Sequence, residues 1–291
     1  ALEKVIPDFR DDAPLERHVI EQRVWVLDDN SFVGTHYRSD DYNKPPYNRY
    51  TIIRAQFDKW FSSKVREAGA LLICETTVEH LLLDGDTVVG VHCDRMGGEV
   101  RADVVILADG VNSTLARKAG FHGEISSKNV ALAVKEILFM PEETIQSRFN
   151  IKEDEGVVIE LMGTVTEGMV GTGFLYTNKD SLTIGVGCML SDFKANPKKT
   201  TPYALLEKLK RHPSVAPLIE GGDGCYEDYP HVKHSPGTTA SRRTAAAIGD
   251  IVFDPTVGNG GLRAKIVNED MDGLKWGLSE VDASGNLVNS P

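Results

Sequence analysis

The dipeptide Asp109-Gly110 ends the apolar run VVILA, Val104 to Ala108, and opens a stretch of small and polar residues that includes Ser113 and Arg117. A carboxylate in that position can accept hydrogen bonds from a ligand's hydroxyls, and a glycine beside it permits a close approach to the backbone. The same pair also makes an ordinary strand-to-helix turn, with Asp109 capping the helix that follows. Spacing alone leaves both readings open. Gly249-Asp250 follows the apolar run Ala245 to Ile248 in the same manner, and Pro255, Gly258 and Gly260 form a Pro-x-x-Gly-x-Gly pattern just beyond it. Arg54 stands at the start of a helical pattern, where a surface ion pair is the simplest role.

The sulfur and imidazole side chains point away from metal chemistry. Cys74, Cys93, Cys188 and Cys225 are separated by 19, 95 and 37 residues, with no CxxC. An iron–sulfur or zinc site built by these thiols alone is not expected, and free cysteines in a reducing compartment are. Among His80, His92, His122, His212, His231 and His234, only His231-x-x-His234 has ligand-like spacing, and it lacks a third and fourth ligand. No metal site is expected.

These residues must be positioned by mixed elements. RVWVLD (Arg23 to Asp28) and FVGTHY (Phe32 to Tyr37) read as strands around an Asp29-Asn30-Ser31 turn. Phe57, Trp60, Phe61, Lys64, Val65 and Ala68 recur at helical spacing, so Ala55 to Ala68 reads as a helix closed by Gly69. LLIC (Leu71 to Cys74) and VVIL (Val104 to Leu107) read as buried strands, the second as a parallel strand covered on both faces. Between them lies a meander with turns at Asp84-Gly85-Asp86 and Met96-Gly97-Gly98. VALAVKEIL, GVVIELMG, MVGTGFLYT and SLTIGVGCML predict a large antiparallel sheet after Asn129. Its glycines at 163, 168, 171, 173, 185 and 187 suggest bulges or close approach by a ligand or another backbone; a twisted core sheet whose glycines relieve crowding against helices is the alternative. Helices are predicted at Tyr203 to Arg211, capped by Thr201 with Pro202 first, and at Ser214 to Ile219. Ala245 to Asp250 reads as a last buried strand, and the polar end as a loosely held tail.

At 291 residues, 41% hydrophobic and 26% charged, the chain is long enough for a large core and two subdomains. A net charge of −11 argues against broad nucleic-acid binding. No apolar run reaches the length of a transmembrane helix. The sequence begins without Met, inside an amphipathic element, and reads as a processed chain or a fragment.

VVILADGVNSTLARKAG resembles the "DG" motif of glutathione-reductase-type flavoproteins with the p-hydroxybenzoate-hydroxylase-like fold, and IIRAQFDKWFSSKVREAGA resembles the helix that precedes it there. GFLYTNKDSLTIGVGCML and HPSVAPLIEGG narrow the resemblance to the FixC-like flavoproteins of the electron-transfer-flavoprotein:quinone oxidoreductase family. It covers roughly Ala1 to His231. The family's G-x-G-x-x-G turn, which holds the FAD pyrophosphate, does not occur in these residues, and the Gly-Asp motif is followed by a shorter arm before Pro255. Weak FAD retention by these residues alone is the consequence expected.

The resemblance implies an α/β fold: a partial Rossmann-like FAD-binding domain interleaved with an antiparallel β-sheet substrate domain. Residues 1–53 would add strands to the substrate domain, 54–120 form the remaining FAD domain with its meander, and 121–235 form the substrate or quinone domain. Residues 236–262 would return to the FAD domain, and 263–291 form the tail. It makes Arg54, Asp109, Gly110, Gly249, Asp250, Pro255, Gly258 and Gly260 candidate FAD contacts, with no acid or base named for catalysis. The implied activity passes electrons from an electron-transfer flavoprotein to a quinone or a ferredoxin-like partner, in the cytoplasm or peripheral to the inner face of the membrane. Two alternatives share the sequence features: a geranylgeranyl-reductase-like flavoprotein, and a cofactor-free fragment that serves only as a docking subunit.

Overall fold

A computed structural model describes residues 2–47, 49–121 and 123–220, and the backbone of six short strands between residues 243 and 289. Gly249, Asp250, Pro255, Gly258, Gly260, Cys225, His122, His231 and His234 lie outside the described residues, as does the expected strand at Ala245 to Asp250.

An eight-stranded sheet dominates the fold, in the order β11-β7-β10-β9-β8-β1-β2 with β3 also paired to β1. Its strands are β1 (Leu15–Leu27), β2 (Phe32–Arg38), β3 (Tyr50–Ile52), β7 (Ala131–Phe139), β8 (Glu155–Gly163), β9 (Gly171–Thr177), β10 (Ser181–Met189) and β11 (Arg243–Thr244). The four runs after Asn129 form antiparallel neighbours as their turn-separated patterning requires. The sheet is nonetheless mixed, because β1 and β8 run parallel. The first hairpin, β1 to β2, forms around the Asp29-Asn30-Ser31 turn. β1 starts well upstream of Arg23, through a segment whose side chains are polar yet buried: Arg17, His18 and Glu21.

The core is the β8-β9-β10 face, where Ile159, Leu175, Leu182, Ile184 and Val186 are fully buried. Two helices cover it. Helix α3 (Glu142–Phe149) contributes Ile145 and Phe149, and helix α5 (Pro202–Lys210) contributes Leu205, Leu206 and Leu209. Each such side chain stabilises the fold by ~1.5–3 kcal/mol. α5 begins as expected, with Thr201 Oγ1 accepting from the Ala204 N–H at 3.1 Å and Pro202 at the first turn. The last predicted helix is shorter, α6 (Ala216–Ile219).

Two of the sheet's glycines, Gly171 and Gly185, stand where a side chain would meet the protein itself. A Cβ on Gly171 would lie 2.1 Å from the Gly187 carbonyl oxygen, and one on Gly185 would lie 2.3 Å from the Phe174 ring. These positions are filled by the protein's own neighbouring strands and rings, so glycine there relieves crowding within the sheet.

The remaining α/β part is smaller. Helix α1 (Arg54–Glu67) ends at Gly69, whose φ of +88° and N–H to the Arg66 carbonyl close the last turn. A three-stranded meander follows: β4 (Val78–Asp84), β5 (Thr87–Cys93) and β6 (Glu99–Arg101), with both predicted turns present. Helix α2 (Thr114–Lys118) comes after Asp109-Gly110, and the short helix α4 (Leu190–Ala195) follows β10.

Two expected strands do not form. Leu71 to Cys74 and Val104 to Leu107 have no regular secondary structure and join no ladder, and Leu71, Val104 and Ile106 are 86%, 74% and 85% exposed. A buried parallel strand needs hydrogen-bonded neighbours and helices over both faces. Among the described residues neither segment has them. At the chain's end, β12 (Ile251–Phe253), β13 (Ala264–Asn268) and β14 (Lys275–Leu278) form a small sheet, and β15 (Glu280–Val281) pairs with β16 (Leu287–Asn289). Four of these short strands, β13 to β16, fall within the expected tail of residues 263–291.

Candidate functional site

The turn at Asp109 is built in three steps. Gly110 takes φ +72°, open to glycine at no steric cost, and reverses the chain. Ser113, at φ +42°, spends its hydroxyl on the Gly110 carbonyl oxygen at 3.0 Å and so does not cap α2 itself. Asp109 does so instead: its Oδ2 accepts from the N–H groups of Leu115 at 2.8 Å and Ala116 at 3.3 Å. A negative charge at this helix start is also favoured by the aligned peptide dipoles. The cap reading of Asp109 is therefore realised, and it fixes the carboxylate in place. Among the described residues, no atom beyond Gly110 and its chain neighbours lies within 4 Å of where a Gly110 Cβ would be.

Arg54 opens α1 and is held by Asp58 one turn later, its Nε within 2.6 Å of both carboxylate oxygens. Its side chain is 67% exposed. Of the eight candidate contacts, only Arg54, Asp109 and Gly110 fall within the described residues, each with its own local setting.

Near α1 lies a cavity of about 370 Å³ lined by Phe9, Arg10, Tyr47, Tyr50, Ile52 and Phe57. Arg10 Nε donates to the Tyr50 hydroxyl at 3.0 Å, and Phe9 meets the Tyr50 ring edge-on. A larger cavity, about 570 Å³, is lined by charged and polar groups including Asp29, Tyr203, Lys208, Arg211 and His212. His212 joins two segments: its Nε2–H donates to the Asp28 carbonyl at 2.8 Å, while Nδ1 accepts from the Ser214 N–H at 3.1 Å. Both ring nitrogens are thus occupied in positioning the chain.

Sequence patterning does not assign the polar network on β1. The β1–β8 register shifts between Val19 and Glu21, and this bulge brings His18 and Glu21 onto one face despite their odd spacing. Glu21 binds Arg23 Nε at 2.7 Å and lies 3.4 Å from Arg38 Nη1, whose other amino group meets Glu155 at 3.2 Å. Asn43 then links Glu155, at 2.8 Å, to His18 Nε2, at 2.6 Å. Arg17 is wholly buried among carbonyls of Lys152, Glu153, Glu155, Asn178 and Lys179. The available signal was the density of charge within LERHVIEQR, which period-two reading assigns to no strand.

No family model matches the chain. Curated relatives do. Over 223 residues, 77% of this chain, it is 66% identical to Protein FixC of Azotobacter vinelandii. The chain is FixC-like. It is 57% identical to Protein FixC of Rhizobium meliloti over 223 residues and 39% identical to that of Escherichia coli K12 over 222. In each case about 76% of this chain is matched, and it spans about half, 51%, of the FixC protein's length. Two solved structures share the fold of this FixC-like chain at low identity. A triple mutant of the flavin-dependent brominase Bmp2 has TM-score 0.54 and 16% identity, covering 75% of this chain and 52% of that one. The myxobacterial chondrochloren halogenase CndH, an FAD-dependent halogenase, has TM-score 0.52 and 18% identity, covering 75% and 47%. The described part of the chain therefore shares its fold with these two halogenating enzymes: a mixed α/β arrangement with a large, mainly antiparallel sheet.

Proposed function

We propose that these residues belong to an FAD-dependent oxidoreductase that passes electrons from an electron-transfer flavoprotein to a quinone or a ferredoxin-like partner. The observation that carries this reading is the 66% identity to a FixC protein on a flavoprotein fold. Asp109 and Gly110 would receive the cofactor's hydroxyl groups, with Arg54 released from Asp58 to meet its phosphates. Gly249, Asp250 and the Pro255, Gly258 and Gly260 rhythm are the further candidates, outside the described residues. FAD, when bound, supplies the redox chemistry; the chain supplies position and electrostatics. Residues 54–120 serve the cofactor, and the large sheet serves the acceptor side. None of the described helices is long and apolar enough to cross a membrane, so a quinone would be met from the membrane surface.

The test is anaerobic electron transfer with the complete protein. Reduced electron-transfer flavoprotein should bleach its flavin absorbance, and a soluble quinone should restore it. No bleaching by the donor contradicts the proposal, and reduction of prenyl double bonds in place of quinone would transfer the reading to a geranylgeranyl-reductase-like enzyme.

A further inference from the structure

We propose that Glu79, His80 and His92, on the meander, form a binding site for a divalent transition cation, with zinc as its natural class. Glu79 and His80 are neighbours in the chain but His92 comes only on the next strand, which is why sequence pattern alone assigns no metal here. The fold joins them. β4 and β5 pair antiparallel with His80 directly opposite His92, and the register shifts between Val78 and His80. Two residues of β4 thus face one of β5, and the extra residue is Glu79. A bulge re-aims a side chain that strict alternation would send to the other face. Ligand atoms of all three residues lie within 4.8 Å of one another.

Three details favour a metal over a plain polar cluster. The imidazoles of His80 and His92 stack at 4.5 Å with planes 10° apart, so both rings project from neighbouring strands on one side, and a turn of the exposed His80 ring out of the stack brings its in-plane lone pair to the same point as that of His92. His92 Nδ1 is buried and has no hydrogen-bond partner. It faces Glu79 Oε2 at 3.4 Å, too far for a good hydrogen bond. Two ligands about 2.1 Å from one tetrahedral ion are themselves about 3.4 Å apart. An ion between them would satisfy the orphaned nitrogen and both would keep their present separation. His80 is exposed and can rotate to supply the third ligand. Two imidazoles and one carboxylate suit a borderline cation such as zinc, with water completing the tetrahedron. Bound there, the ion ties β4 to β5.

The experiment uses the complete protein, stripped with chelator and titrated with zinc chloride by calorimetry; cobalt(II) serves as the spectroscopic probe of geometry. His80→Ala and Glu79→Gln alter exposed side chains, and a His231→Ala, His234→Ala double variant controls for the other histidine pair. Parent protein and the control should each bind one zinc per chain. Cobalt should give the intense visible bands of a tetrahedral site. His80→Ala should weaken zinc binding by at least about tenfold, as loss of a ligand must exceed the ~10–100-fold effect of losing a ligand's supporting partner. Its melting temperature without zinc should match the parent's. Absence of stoichiometric binding, binding untouched by His80→Ala, or binding abolished in the His231, His234 control would each overturn the site.

Discussion

The carboxylate of Asp109 caps helix α2 through the Leu115 N–H at 2.8 Å, although Ser113 stands in the position a capping side chain normally holds. Structural and ligand-binding roles of Asp109 can therefore be separated by two substitutions. Asp109→Ala removes the acceptor, costing ~1 kcal/mol in stability. It should also weaken FAD binding in the complete protein, by roughly ten- to a hundredfold if a charge-assisted bond of ~1.5–3 kcal/mol is lost. Asp109→Asn keeps an oxygen for the cap. It should melt close to the parent yet still bind FAD more weakly. Thermal melts beside FAD titrations check both, and an unchanged FAD constant in both variants leaves Asp109 as a cap only.

Arg17 is the most consequential buried charge among the described residues. Its guanidinium is met by backbone carbonyls from the β8 entry and the β9–β10 turn, and by Glu142 at 3.3 Å. Burial pulls its pKa below the ordinary guanidinium value, with nearby Glu142 opposing the shift. Lysine cannot reproduce the planar fork. Arg17→Lys should lose about 3–5 kcal/mol, the usual cost of breaking a buried, fully bonded charge. Urea unfolding reads this directly, and a midpoint within error of the parent would show that the carbonyls find water instead.

Gly171 should tolerate no side chain. Its Cβ would strike Gly187 and Cys188 of the next strand, both backbone contacts that cannot yield by rotamer change. Gly171→Ala is expected to destabilise the complete protein by ~1–3 kcal/mol. If quinone reduction fell while melting held, the position would instead face a ligand.

How much of this was legible depended on where each element finds its partners. Hairpins and capped helices carry their own signals: the Asp29-Asn30-Ser31 turn, Thr201-Pro202 and Gly69 all act where the residue types place them. VVIL was legible as apolar but not as exposed, because burial of a parallel strand is decided by neighbours distant in sequence. The polar stretch of β1 was missed for the opposite reason. Its charges are buried together, and only the β1–β8 bulge and the β2 hairpin bring Glu21, Arg38 and Glu155 into reach. For the site, residue types at Asp109-Gly110 were informative, but the cap role itself required the Leu115 hydrogen bond, which depends on how the chain turns at Gly110.

Cys188 gives a pH signature. Burial, helped by the nearby Asp192 charge, pushes its thiol from the ordinary 9.0 up to about 11. The fold therefore favours the neutral thiol. Its contribution to stability is complete below about pH 9 and is lost as pH rises through about 11. Between pH 8 and 11 the parent's urea midpoint should fall more than that of Cys188→Ala. Parallel curves would mean that the thiolate is accommodated.

The most direct test of the account is the absorbance spectrum of the complete FixC-like protein after gel filtration and FAD titration. Flavin bands at one FAD per chain are predicted, with binding weakened in Asp109→Asn. A folded, colourless protein that takes up no added FAD would contradict the proposal that Asp109 and Gly110 form part of a flavin site.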